Sequence, residues 1–153
     1  MITDFLRRVV LGKKEKFLFQ RYQDGFIDFN QIPEGIGLYI HIPFCRSICP
    51  YCPYNKEIYK KEKALKYKEA LLKELELYKN RLFDKKISSL YIGGGTPALL
   101  IHELKEIIQW MRNHYSFYGD IGIELYPAEV DEELLYILRE IGVKLISLGV
   151  QTF

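Results

Sequence analysis

Apolar residues recur along this chain in two alternating rhythms. Leu38-Tyr39-Ile40-His41-Ile42 alternates at every second position and is rich in β-branched and aromatic side chains, which predicts a strand over 36–42. The period then changes. Ala64, Tyr67, Leu71, Leu75, Tyr78 and Leu82 fall at three- and four-residue steps, the apolar stripe of a helix over 57–83. A second strand is predicted over 87–92. A helix over 102–114 follows, with Leu104, Ile107, Ile108 and Met111 inward. A third strand covers 121–125. Asp131 suits the N-cap of a helix through Glu140, and Gly142 suits its end. A fourth strand covers 145–150.

Strands alternating with helices predict an α/β fold of parallel βα units. Residues 1–35 show no such rhythm and read as an N-terminal extension, with a short helix, closing at Pro33-Glu34-Gly35. Residues 36–153 form the core. A closed barrel of eight βα units takes about 200–250 residues, so four strands predict an open sheet. Its last strand would show an apolar edge at Ile146, Leu148 and Val150, a liability for aggregation. The expectation is that this core is part of a larger protein, ending early, or that something covers the edge.

Composition narrows the class. The chain has 153 residues, 48% hydrophobic and 27% charged, as a globular domain does. A formal charge of +2 is too small to argue for nucleic acid or an acidic membrane. No apolar run approaches the roughly 18–20 residues of a transmembrane helix. Val9-Val10-Leu11, followed by Lys13-Lys14, lacks the core and cleavage site of a signal peptide. The expected location is therefore cytoplasmic. The polar face of the first helix carries Lys60, Lys61, Lys63, Lys66, Lys68 and Lys73 among glutamates. It reads as a basic patch or, preferably, as a solvated face with Glu62–Lys66 and Glu69–Lys73 pairs.

The candidate chemistry starts at Cys45, Cys49 and Cys52, the three cysteines of the chain, spaced C-x3-C-x2-C after the first strand. In a reducing compartment such a run suits metal ligands better than disulfides. Iron–sulfur clusters are held by thiolates, usually four. Three would leave one iron of a cubane without a protein ligand, where a cofactor or substrate could bind. Zinc with His41 as fourth ligand is the alternative. Pro43-Phe44 intervenes, and paired C-x2-C knuckles are absent.

Gly93-Gly94-Gly95-Thr96-Pro97 follows a predicted strand; it is either a plain tight turn or a place where backbone closely approaches a ligand. It is not a P-loop. Glu124 shares an alternation face with Gly122 and Tyr126 near the C-terminal strand end, where βα-barrel sites lie. The plainer reading is an exposed strand-end glutamate. Gln151 follows the fourth strand on the face of Ser147 and Gly149. Tyr39 and His41 share a face of the first strand, and His41 reads equally well as a core histidine. His102 and His114 read as surface residues of a helix.

Taken in order, four motifs carry a resemblance: Tyr39-Ile-His-Ile-Pro-Phe-Cys45-x3-Cys49-x-Tyr51-Cys52, the Gly93–Pro97 run, Glu124 with Pro127, and Ser147-Leu-Gly-Val-Gln151-Thr-Phe153. They resemble the signatures of radical S-adenosylmethionine enzymes. More narrowly, they resemble the branch of oxygen-independent coproporphyrinogen III oxidase, the related haem chaperone and the porphyrin-type radical methyltransferases. The resemblance implies the N-terminal portion of a partial TIM-type barrel. It implies a 4Fe-4S cluster on Cys45, Cys49 and Cys52, and S-adenosyl-L-methionine contacted by Tyr39, Tyr51, Gly94, Gly95, Thr96, Glu124 and Gln151.

By the same resemblance, the reduced cluster would cleave S-adenosylmethionine to a 5′-deoxyadenosyl radical that abstracts hydrogen from a substrate. That substrate would be a small molecule such as a porphyrin or porphyrinogen, or the ligand would be haem. The electron donor would be a protein such as flavodoxin or ferredoxin. One departure stands out. Tyr54 occupies the position where the true oxidases typically carry a fourth cysteine, which moves weight toward the haem-chaperone-like and methyltransferase-like relatives.

Overall fold

The computed structural model describes residues 28–150. Gln151 and residues 1–27 of the N-terminal extension lie outside the described residues; the described part of the extension holds a short 3-10 helix, Phe29–Gln31. The elements run β1 (Gly35–Ile42), β2 (Phe44–Cys45), β3 (Glu57–Ile58), α1 (Lys61–Lys79), β4 (Lys86–Gly94), α2 (Ile101–His114), β5 (Ser116–Leu125), α3 (Glu132–Glu140) and β6 (Val143–Leu148). One sheet has the order β1-β4-β5-β6. Every neighbouring pair in it is parallel, as βα units require.

Alternation divides the sheet into two chemically different faces. Ile40 and Ile42 of β1, Ile87, Leu90 and Ile92 of β4, and Ile121, Ile123 and Leu125 of β5 are buried. They join Leu104, Ile107, Ile108 and Met111 of α2 and Leu134, Ile137 and Leu138 of α3 in one core. Ile87 and Leu90 reach the same face although three residues apart. An irregularity in the pairing at Ser88 absorbs the extra residue and restores the phase. The opposite face carries Tyr39 and His41, Tyr91 and Gly93, and Glu124, all near the C-terminal edge.

The α1 stripe is placed as its periodicity predicts. Ala64 and Leu75 are buried, and Tyr67, Leu71 and Tyr78 pack against the core; Leu82 is buried too, but it lies beyond the helix, which ends at Lys79, four residues earlier than expected. The helix starts at Lys61, four residues later than expected. The segment before it is extended instead: Glu57 N–H donates to Pro43 O at 2.6 Å and Tyr59 N–H to Cys45 O at 2.9 Å. β5 starts at Ser116, five residues earlier than expected, because Lys86 and Ile87 pair with Ser116 and Phe117. The Glu62–Lys66 and Glu69–Lys73 pairs are replaced. Lys63 pairs with Glu57, and Lys68 reaches across to Glu106 of α2 at 2.6 Å.

Other local signals act as anticipated. Asp131 caps α3, its carboxylate accepting from Leu134 N–H at 2.7 Å. Gly142 ends it with a φ of +79°. On β6, Leu145, Ile146 and Leu148 are exposed, and so is Val150 beyond it. No described helix is long and apolar enough to cross a membrane.

Tyr115 joins α1 to α2 by donating its hydroxyl to Leu75 O at 2.6 Å from a buried position. Burial pushes its pKa up from 10.0 to about 12. The fold therefore favours the neutral phenol. Its contribution is full below pH 10 and is lost as pH rises toward about 12. Tyr115→Phe should cost about 1 kcal/mol at neutral pH. The gap to the unsubstituted protein should shrink above pH 10, as read by urea unfolding at several pH values.

Candidate cofactor site

The first strand delivers the cysteines. β1 ends at Ile42, and Phe44–Cys45 pairs as β2 with Glu57–Ile58. Cys45 is thus held in a small two-stranded sheet. Cys49 and Cys52 lie on the loop between, joined by a bond from Cys52 N–H to Cys49 O at 3.2 Å. All three are free thiols, Cys49 exposed and the other two half-buried. Burial pushes the Cys45 thiol up, opposed by a hydrogen bond with Thr96. The loop's far end is tied by Lys56, whose ammonium donates to Cys52 O.

The glycine run lies directly against this loop. Gly95 N–H donates to Ile42 O at 2.6 Å and Thr96 N–H to Phe44 O at 2.7 Å. A Cβ on Gly95 would sit 2.5 Å from Phe44 O and 2.7 Å from Cys45 Sγ. No side chain fits there, so only glycine allows β4 to end against the thiol-bearing strand. Gly94 takes a φ of +115°.

Glu124 enters from β5. Its Oε2 accepts from Gly94 N–H at 3.1 Å and its Oε1 from Tyr91 O–H at 3.2 Å. A Cβ on Gly93 would lie 2.7 Å from Glu124 Oε2, so that position must be bare for the carboxylate to lie flat across β4. The plain reading of Glu124 as a strand-end surface glutamate is replaced by a carboxylate anchored to the turn.

His41 is engaged at both ring nitrogens. Nε2 lies 2.9 Å from Asn55 O, which can only accept, so Nε2 carries a proton. In that tautomer Nδ1 accepts from the Tyr39 hydroxyl at 3.0 Å. Both nitrogens are already engaged, which counts against the alternative reading of His41 as a fourth zinc ligand. Tyr39 stacks on Tyr91 with centroids 6.3 Å apart. Its pKa is raised, first by desolvation and then by the charge of Glu124. Tyr51 is exposed beside Cys49, with which its hydroxyl interacts.

Tyr39, Gly94, Gly95, Thr96, Glu124 and the three cysteines thus meet at one edge of the sheet. Tyr51 stands on the loop itself. Tyr91 was not among the expected site residues, and Gly93 was expected only as the start of the glycine turn. Alternation along β4 carries their signal, since both share the face on which Glu124 lies. The ion pair of Arg46 with Glu129 had no local signal.

Among the described residues, no three Cys, His, Asp or Glu side chains are gathered closely enough to hold a single metal ion. A cubane cluster asks for a wider set, since each thiolate meets a different iron. Cys45 on β2, against a glycine turn that tolerates no side chain, and Cys49 and Cys52 on the loop that follows are three free thiols, the donor type such a cluster takes.

The Radical SAM superfamily model matches residues 39–153, and the chain belongs to that superfamily. Oxygen-independent coproporphyrinogen III oxidase of Pseudomonas aeruginosa is 39% identical over 133 residues, covering 82% of this chain and 29% of that protein. Heme chaperone HemW of Bacillus subtilis is 36% identical over 119 residues, covering 75% of this chain and 31% of that protein. Among solved structures, coproporphyrinogen III oxidase (HemN) from Escherichia coli, a radical SAM enzyme, matches with a TM-score of 0.75 at 33% identity. That match covers 82% of this chain and 30% of the other. The chain thus spans about three-tenths of the length of these relatives.

Gly95→Ala should destabilise the protein by about 1–3 kcal/mol through overpacking. Gly37→Ala, whose added Cβ meets only the movable Ser89 hydroxyl at 2.9 Å, should cost less. Urea midpoints rank the two. A thiol reagent should also react faster with the cysteines of the Gly95 variant.

Proposed function

We propose that this chain binds a 4Fe-4S cluster and S-adenosyl-L-methionine, and works in tetrapyrrole or haem metabolism as the corresponding part of a radical enzyme. The observation that carries this reading is the packing of Gly95 on Cys45, with Glu124 bonded to the adjoining Gly94. Cys45, Cys49 and Cys52 would hold the cluster. When bound and reduced, the cluster would supply one electron to the sulfonium of S-adenosylmethionine, breaking a carbon–sulfur bond to give a 5′-deoxyadenosyl radical.

The chain's own residues prepare that event. Glu124 presents a carboxylate already oriented by Gly94 and Tyr91, so it accepts further donors such as an ammonium without a large ordering cost. Tyr39 offers an aromatic face and a hydroxyl fixed by His41. Thr96 faces the Cys45 thiol. Gln151, which follows β6 in the sequence, is proposed as a further contact, and the exposed Tyr51 as a contact from the cysteine loop. An electron donor such as flavodoxin or ferredoxin would complete the system.

A second reading concerns the chemistry after radical formation. The oxidase-like relatives and the haem-chaperone-like relatives are similarly close to this chain. Tyr54, exposed on the cysteine loop, stands where a fourth thiol would favour the oxidase. Haem binding and transfer without turnover is therefore the alternative to porphyrinogen oxidation. A haem titration alongside the turnover assay separates the two.

Anaerobic reconstitution with iron and sulfide, then dithionite and S-adenosylmethionine, should release 5′-deoxyadenosine. Cys45→Ala, Cys49→Ala and Cys52→Ala should each lose the brown chromophore; normal iron and sulfide content in any of them contradicts the ligand assignment. Glu124→Gln should retain iron and bind S-adenosylmethionine about tenfold more weakly, the loss of one charged hydrogen bond. Unchanged affinity in an anaerobic titration contradicts its role.

A further inference from the structure

The cysteine loop carries one tie that the cofactor face does not explain. Arg46 directly follows the first cysteine. Its Nε donates to Glu129 Oε1 at 2.7 Å and an Nη donates to Oε2 at 3.0 Å. The two residues are 83 positions apart in the chain. Glu129 closes the short 3-10 turn Pro127–Glu129, directly after β5. Its side chain keeps only 15% of its exposure, against 68% for Arg46.

We propose that Arg46 and Glu129 form a positioning latch that registers the cysteine loop against the turn after β5 and slows release of the cluster. The proposal rests on the reading of Cys45, Cys49 and Cys52 as cluster ligands. Its first support is the sparseness of other ties. Cys45 is fixed by strand pairing and Cys52 by Lys56, but the stretch between them is irregular. Among the described residues, side chains 46–51 make no other hydrogen bond or ion pair to elements outside the loop.

The second support is geometry. Two parallel bonds from a planar guanidinium fix direction as well as distance, which a lysine cannot do. The third is the difference in exposure. Glu129 is the more shielded partner, so it serves as the fixed anchor to which the more exposed Arg46 is tied. The fourth is the location of the anchor. Glu129 lies five residues beyond Glu124, so the latch couples the thiol-bearing loop to the strand that presents Glu124.

The competing description is an ordinary solvent-side ion pair, worth little. Four variants decide between them: Arg46→Gln, Glu129→Gln, Arg46→Lys, and the double exchange Arg46→Glu with Glu129→Arg. After anaerobic reconstitution, iron loss to a ferrous chelator should be about tenfold faster in either neutral variant. The lysine variant should be intermediate, and the double exchange should return toward the original rate. Melting temperatures of the metal-free proteins should move by no more than about 2 °C, less than the loss of a core contact would cause. Hydrogen exchange of the metal-free loop 46–52 should accelerate in the single variants and recover in the exchange.

Unchanged iron loss and loop exchange in the single variants overturns the latch. So does a double exchange no better than its parents. If the unsubstituted chain takes up no cluster, the cofactor reading fails, and loop exchange in metal-free protein decides the latch alone. Faster exchange in the single variants then supports it, and equal exchange overturns it.

Discussion

The site depends on the parallel pairing of β1, β4 and β5. Parallel strands end at the same edge, so segments far apart in sequence are delivered to one place without a dedicated scaffold. β1 hands its end to the cysteine loop, β4 to the glycine turn, and β5 to Glu124. Parallel sheets also demand cover, and here α2 and α3 pack on one face. The other face is released from core duty. It can carry Tyr39, His41, Tyr91 and Glu124, which would be costly among the isoleucines of the buried side.

Close approach is the second requirement, and it explains why the turn consists of glycines. Glu124 reaches Gly94 N–H only by lying across Gly93, where a Cβ would be 2.7 Å from its oxygen. Gly95 makes the equivalent allowance for Cys45. Backbone groups of the turn are therefore spent on fixing its own position: Gly95 and Thr96 donate to the carbonyls of Ile42 and Phe44. The result is a rigid seam between the strand that carries the thiols and the strand that carries the glycines. His41 adds a brace of the same kind, holding Tyr39 on one side and the Asn55 carbonyl on the other.

Much of this was legible in the chain itself, for physical reasons that differ between elements. The stripe of α2 was readable because all four inward residues lie on one narrow face, and all four are buried. Glu124 was readable because strand alternation has no freedom once Ile121 and Ile123 are in the core. The start of α1 was not readable. Glu57-Ile58 continues the polar–apolar mix of a helix, and its partner is a two-residue strand at Phe44–Cys45, which no periodicity reveals. The early start of β5 was hidden likewise, since Ser116 to Asp120 is held by pairing and not by burial of alternate side chains. Arg46 and Glu129 meet only because the fold brings the loop and the turn together.

The same geometry bears on which inorganic group the loop suits. A single zinc ion draws four donors onto one point. The cysteines here are spread over a strand and a loop, no described trio converges on such a point, and His41 has both nitrogens occupied. A cluster with several irons relaxes that demand, because each thiolate needs only its own metal. It also gives meaning to the missing fourth cysteine. A donor set of three is deficient for a closed site but sufficient where one iron must stay available to a small molecule. Glu124 and the glycine turn stand beside those thiols, where such a molecule would be received. The thiolate chemistry of the donor set, together with the membership of the Radical SAM superfamily, is thus what supports the proposed cluster.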